Sequence, residues 1–286
     1  MKIKLLAVAV AGILLSGCND DNGPLNSTAV QAFDPAVMNM TAKAVCADGT
    51  TETSKTDYYG NAKFFERTLQ VSPETCSFTF IGGADAVDVS NGKSMDGVTY
   101  TIPVGLAQAG APITASPLTT LIAKELNGAE YSEATATTVL TSLGLGSLLN
   151  NGVSVTELLS NTEAVLEKLT TAGSSDAGKL AATTAVLSDV LTADPTASAE
   201  ALTTTASTLS VNVIAANPKY PAGGLDGTGA DIFVTFDEDI VKAYVEAVNT
   251  GSALPTVPVA TTPPAVVQPK PTVTGATGVT GSKSPS

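Results

Sequence analysis

Midway along the chain the hydrophobic period changes, and that change constrains the fold more than any other feature. In Cys76-Ser77-Phe78-Thr79-Phe80 and Val98-Thr99-Tyr100-Thr101-Ile102, apolar and polar residues alternate strictly. That is the period of a strand with one buried face. From Ser116 onward the pattern differs: Leu118, Leu121, Ile122 and Leu126 recur at intervals of three and four, the spacing of one helix face. Neither one sheet nor one bundle satisfies both patterns. The expected fold is therefore α+β and multi-domain: a small antiparallel β-sandwich over 33–112, then an all-α helical bundle over 113–217.

Turn residues divide the first part. Asp48-Gly49, Tyr59-Gly60-Asn61, Gly82-Gly83, Asn91-Gly92 and Asp96-Gly97 lie at short spacing, as several short strands require. Cys76 falls on the same face as Phe78 and Phe80 and so points into a core. In the second part Ser116-Pro117 is a helix start, because Ser caps and Pro suits the first helical position, and Gly128 is the expected stop. Ser132 opens a second helix ending at Gly144. Ser154-Val155-Thr156-Glu157 is a capping box, and Leu158, Leu159, Thr162, Val165, Leu166 and Leu169 form the stripe behind it. A fourth helix begins near Asp176, and Pro195 opens a fifth that must end before Asn217-Pro218.

Residues 218–250 read as a small acidic unit, with a strand at Ile232–Phe236 and a helix capped by Asp237. The segment 251–286 is rich in Pro, Thr, Val and Gly and nearly free of charge. It has no amphipathic period and is expected to be a disordered tail.

The amino terminus places the chain in a cell. Lys2 and Lys4 precede an apolar run from Leu5 to Leu15, about half the roughly twenty residues of a spanning helix. It reads as a secretory signal over 1–17. Leu15-Ser16-Gly17-Cys18 resembles a bacterial lipobox, which implies acylation of Cys18 after cleavage and a membrane partner reached through that lipid anchor. Two or more acyl chains give stable anchoring where one is marginal. The alternative is an ordinary signal peptide with a chance Cys at its end. An Asp directly after the Cys resembles the inner-membrane retention signal of enteric bacteria. Asn19 stands there instead, which favours the outer membrane. Residues 18–32 are expected to be a tether.

Removing Cys18 leaves Cys46 and Cys76 in an exported, oxidising compartment, and two thiols permit one pairing. Two free thiols or a metal pair are the alternatives. The runs Ala44-Val45-Cys46-Ala47-Asp48-Gly49 and Thr56-Asp57-Tyr58-Tyr59-Gly60-Asn61-Ala62-Lys63-Phe64 resemble the carboxypeptidase-regulatory-like (prealbumin-like) β-sandwich. Pro73–Cys76 and Ile113–Leu121 are similar to a segment of exported bacterial lipoproteins in which a sandwich runs into a helical region. The resemblance spans about 40–130 and implies a non-catalytic exported module.

Composition removes several chemistries. There is no His, so no imidazole base and no His-ligated metal. Arg67 is the single Arg and the net charge is −13, which argues against a nucleic-acid partner. Ser90-Asn91-Gly92-Lys93 matches S-x-x-K of serine acyl enzymes, but in an Asn-Gly turn and without the partner motifs. No cofactor is expected: the acidic loop reads as a solvated turn with caps, and Ca²⁺ is the alternative. Asp226, Asp231, Asp237 and Asp239 are the candidate ligands, with Asp85, Asp88 and Asp96 as a second set. The expected function is structural, adhesive or accessory to assembly at the cell envelope, toward a protein or envelope-polymer partner. The alternative is a periplasmic module holding Ca²⁺, or a ligand between sandwich and bundle.

Overall fold

The computed structural model describes residues 26–223 and 225–262. The signal segment, Cys18 and the tail beyond 262 lie outside the described residues. Among those described, no helix is long and apolar enough to cross a membrane.

The first part contains strands β1 (Thr28–Ala32), β2 (Val37–Met38), β3 (Thr41–Cys46), β4 (Thr51–Lys55) and β5 (Asn61–Phe64), then a short helix α1 (Arg67–Val71). Strands β6 (Cys76–Ile81), β7 (Val87–Asp88), β8 (Thr99–Ile102) and β9 (Thr114–Ala115) follow. They form a four-stranded sheet in the order β4-β3-β6-β8, a three-stranded sheet β5-β1-β9, and the pair β2-β7. Alternation sets which face is buried: Ala42, Ala44 and Cys46 of β3 point inward, as do Cys76, Phe78 and Phe80 of β6. Register places Ala44 opposite Phe78 and Ala42 opposite Phe80, so small residues make room for rings. The two larger sheets meet where Phe64 of β5 packs edge-on against Phe78 of β6, with ring centres 5.7 Å apart.

Cys46 and Cys76 stand directly opposite in the β3–β6 register and are joined by a disulfide. The inward face on which Cys76 was expected is the face on which it meets its partner.

Two strands depart from the expected boundaries. β1 lies inside the segment read as a tether, because its Val30 and Ala32 are apolar and complete the core beside Ala62 and Phe64. β9 runs parallel to β1, whereas every other pairing in these sheets is antiparallel.

Helices follow as α2 (Pro117–Leu126), α3 (Glu133–Ser142), α4 (Gly146–Asn150), α5 (Val155–Ser160), α6 (Thr162–Thr171), α7 (Ser175–Ala193) and α8 (Ala199–Ala216). Ser116 and Thr119 form a reciprocal cap at the start of α2, and Ser132 and Ser154 cap α3 and α5. α2 ends at Leu126, with Asn127 (φ 46°) and the expected Gly128 (φ 87°) both in the left-handed region. The stripe from Leu158 to Leu169 is split in two at Asn161 (φ −148°, ψ 57°). The Ser160 carbonyl accepts the Thr114 hydroxyl of β9 at 2.8 Å, a competing partner at the point where the helix breaks. α8 begins after Ser198 rather than at Pro195, since Asp194 Oδ1 takes the amides of Thr196 and Ala197 and folds Pro195 into a turn.

The last described elements are β10 (Phe233–Thr235), α9 (Glu238–Thr250) and β11 (Ala260–Thr262). α9 packs on α7 and α8, and β10 lies against α7. β11, from the segment expected to be an unstructured tail, pairs with β10. α7 is central, with eleven of its nineteen residues buried. Helices α6, α8 and α9 surround it and α2 lies between it and β8. Its Ala182, Thr183, Thr184 and Ser188 let these neighbours approach closely.

Two measurements test the local physics. Replacing Cys46 and Cys76 by Ser reopens a loop of 30 residues and is expected to lower the unfolding free energy in urea by about 3–4 kcal/mol. Ser116→Ala, which removes the α2 cap, is expected to cost about 1 kcal/mol.

Candidate functional site

Polar groups gather where the β-part meets the bundle. The connection after β7 folds on itself: Asp88 Oδ1 accepts the Ser90 amide at 2.8 Å and the Ser90 hydroxyl at 2.7 Å, and Oδ2 accepts Asn91 Nδ2 at 2.7 Å. The Asp88 amide donates to the Lys93 carbonyl at 3.0 Å. This closed loop carries Lys93, whose ammonium donates to Asp189 Oδ1 on α7. The two side chains are only 20% and 17% exposed, so the pair is a buried one. One residue earlier on α7, Ser188 Oγ lies 3.0 Å from the Tyr100 hydroxyl of β8, which donates to Asp34 Oδ2 at 2.9 Å. Tyr100 has one proton to give, so Ser188 is the donor in their contact. Asp34 itself sits in the connection from β1 to β2.

Burial governs the charges. It pushes the Asp34 carboxyl well above the usual carboxylate range, against the attraction of Lys93 and the polar influence of the Ser188 and Tyr100 hydroxyls beside it. It raises Asp88 to about 6, with the Ser90 and Asn91 hydrogen bonds opposing. Burial also raises Asp189, against the pull of Lys93. For Lys93 burial acts downward, and the carboxylates of Asp189 and Asp34 outweigh it and hold the ammonium above its ordinary value. The Tyr100 and Tyr220 phenols are pushed up by burial first and by Asp34 second.

Beside this cluster lies a cavity of about 210 Å³. Its walls are mainly apolar and come from three parts of the chain: Phe33 and Pro35, Leu166 and Ala181, Ile232 and Val234. Asp34, Asp88 and Lys93 form its polar side, and the exposed Asp231 lies on its rim. The Asp34–Pro35 and Tyr220–Pro221 peptides in its wall are both cis. Asp34 is 5% exposed, and its Oδ1, buried, has no hydrogen-bond partner among the described residues.

Of the residues singled out in the sequence, Asp88, Ser90, Lys93 and Asp231 border this cavity and the others fall elsewhere. Asp226 Oδ1 accepts the Thr228 amide and hydroxyl in its own turn, Asp237 caps α9 through the Ile240 amide, and Asp239 follows in the first turn of that helix. Only Asp231 of that set reaches the cavity. Of the second set, Asp85 pairs with Lys55 at the surface at 2.7 Å and Asp96 is exposed, while Asp88 joins the cluster. Among the described residues no three acidic or thiol groups come together in a way that holds a metal ion. Ser90 and Lys93 are not partners: the hydroxyl goes to Asp88 and the ammonium to Asp189.

Asp34, Tyr100, Ser188, Asp189 and Tyr220 were not legible as site residues. The one usable signal was Asp189, the single charge in the stretch from Leu180 to Ala193. Compared with protein-family models, with curated proteins and with solved structures, the chain matches none of them.

Removing one partner of the buried pair leaves the other charge uncompensated. Lys93→Met and Asp189→Asn are each expected to cost about 3–5 kcal/mol in chemical unfolding, and the double change Lys93→Met/Asp189→Leu less than either single one. The raised carboxyls predict an unusual pH profile. A folded-state value above the unfolded one gives stability that is complete below the unfolded value and is lost as pH rises through the folded value. Stability is therefore expected to increase on acidification between about pH 6 and about pH 4, by up to about 1.4 kcal/mol per unit for Asp88 alone. Asp88→Asn is expected to remove the Asp88 share of that slope and leave the part due to Asp34 and Asp189, measured by unfolding at stepped pH.

Proposed function

We propose that this chain is a lipid-anchored protein of the bacterial cell envelope, with a non-catalytic structural, adhesive or assembly role. The observation that carries the reading is Leu15-Ser16-Gly17-Cys18 behind a short apolar run, together with a disulfide of the kind that persists in oxidising compartments. The outer membrane is the favoured location, because Asn19 rather than Asp follows the Cys. The β-part is proposed to be of the carboxypeptidase-regulatory-like kind, on the strength of the Asp48-Gly49 and Thr56–Phe64 motifs. Cys18→Ser tests the anchor: acylation, followed by labelling with palmitate, is expected to be lost, and the chain to leave the membrane fraction. Retention of both label and membrane association in the variant would contradict it.

A second reading has an observation of its own. The cavity between β-part and bundle, apolar-walled with a few polar groups on one side, has the make-up of a small-molecule site. In that reading the anchored protein is an envelope ligand-binding module.

A further inference from the structure

The last described strand runs along the cavity wall. β11 pairs with β10 in the register Thr235↔Ala260, Val234↔Thr261 and Phe233↔Thr262, and Ile232, Phe233 and Val234 belong to the wall. Before β11, Val257 and Val259 pack on the core and alternate with exposed Thr256 and Pro258, as in a strand with one covered face. Opposed residues share a face, so Thr261 lies on the side of the buried Val234, and yet it is exposed. The covered face therefore opens where the strand reaches the cavity, and apolar wall left to water is unfavourable. Next in the sequence come Pro263-Pro264-Ala265-Val266-Val267, uncharged and apolar, which lie outside the described residues. Carried one step further, the register brings Pro263 level with Ile232. Proline has no N–H, so pairing with β10 ends there, and the two prolines bring no donor that burial would strand. Apolar contact is then what holds the run. In extended form five residues reach about 15 Å, enough to cross the mouth of a cavity of 210 Å³.

We propose that Pro263–Val267 lies across the cavity as a strap, its apolar side chains against the wall at Phe33, Leu166 and Ile232, and that a ligand of this site enters by displacing it. The inference rests on the ligand-binding reading and adds the regulation of that site. Short tethers give effective concentrations of about a millimolar, so a segment joined directly to β11 takes this wall ahead of a second copy or a separate partner.

The test is calorimetry with benzene, an apolar probe that a cavity of about 150 Å³ holds, on the full chain with and without Val266→Asp/Val267→Asp, which place charge in the strap. The variant is expected to bind benzene at one site, at least about tenfold more tightly than the unaltered chain. Ala181→Phe added to that variant fills the cavity and is expected to abolish binding. Equal binding with and without the Asp changes overturns the strap and leaves the ligand-binding reading standing. Binding by neither chain overturns both. Binding that survives Ala181→Phe puts the probe elsewhere and also overturns the strap. Should the double Asp variant fail to fold, Gly and Ser in place of residues 263–267 decide: binding gained supports the strap, and binding unchanged overturns it.

Discussion

The ion pair between Lys93 and Asp189 is the contact on which the arrangement of the two parts depends. Lys93 belongs to a loop of the β-part and Asp189 to the central helix of the bundle, 96 residues later. Each charge is largely withdrawn from water, and a desolvated charge is tolerated only where an opposite one meets it. The pair thus specifies where the loop after β7 sits on α7. Tyr100 follows the same logic on the same helix through Ser188, and Asp34 on the opposite side of Tyr100 draws in the connection from β1. Apolar contact alone holds the layers together, but it does not choose one docking angle among several. A polar network with fixed donors and acceptors does.

The same network explains why a cavity persists beside it. α7 presents Ala177, Ala181 and Ala185 on this side, small residues that leave space next to Leu166 and the chain at Ile232–Val234. Two of the carboxylates that border this space are held by hydrogen bonds and are not free to collapse into it. Asp88 is bound by its own loop, and Asp34 by Tyr100. The disulfide plays a separate part. It ties β3 to β6, so that the four-stranded sheet is braced at Cys46–Cys76 and docked on the bundle through β8 and α2.

Much of this fold was legible in the sequence because its signals are local. The alternation at Cys76–Phe80 and Val98–Ile102 and the caps at Ser116, Ser132, Ser154 and Asp237 each depend on neighbours within a turn or a strand. What was missed depends on distant residues. β1 is recognisable only through Phe64 and Ala115, its partners in register and sheet order. The break at Asn161 needs Thr114. The candidate site is less legible still, since Tyr100 is 66 residues from Asp34 and 88 from Ser188. In the sequence, Tyr100 is one more apolar residue in an alternating strand, and its hydroxyl acquires meaning only from where Asp34 and Ser188 arrive. The acidic residues that did attract notice, Asp226, Asp237 and Asp239, cluster in sequence because they serve turns and a helix start.

Differential scanning calorimetry of the full chain, with and without Lys93→Met, tests most directly the claim that a buried ion pair makes the β-part and the bundle one body. One transition is predicted for the unaltered chain, with calorimetric and van't Hoff enthalpies in agreement, and two for Lys93→Met. Two transitions in the unaltered chain, or a single undiminished one in the variant, would contradict it.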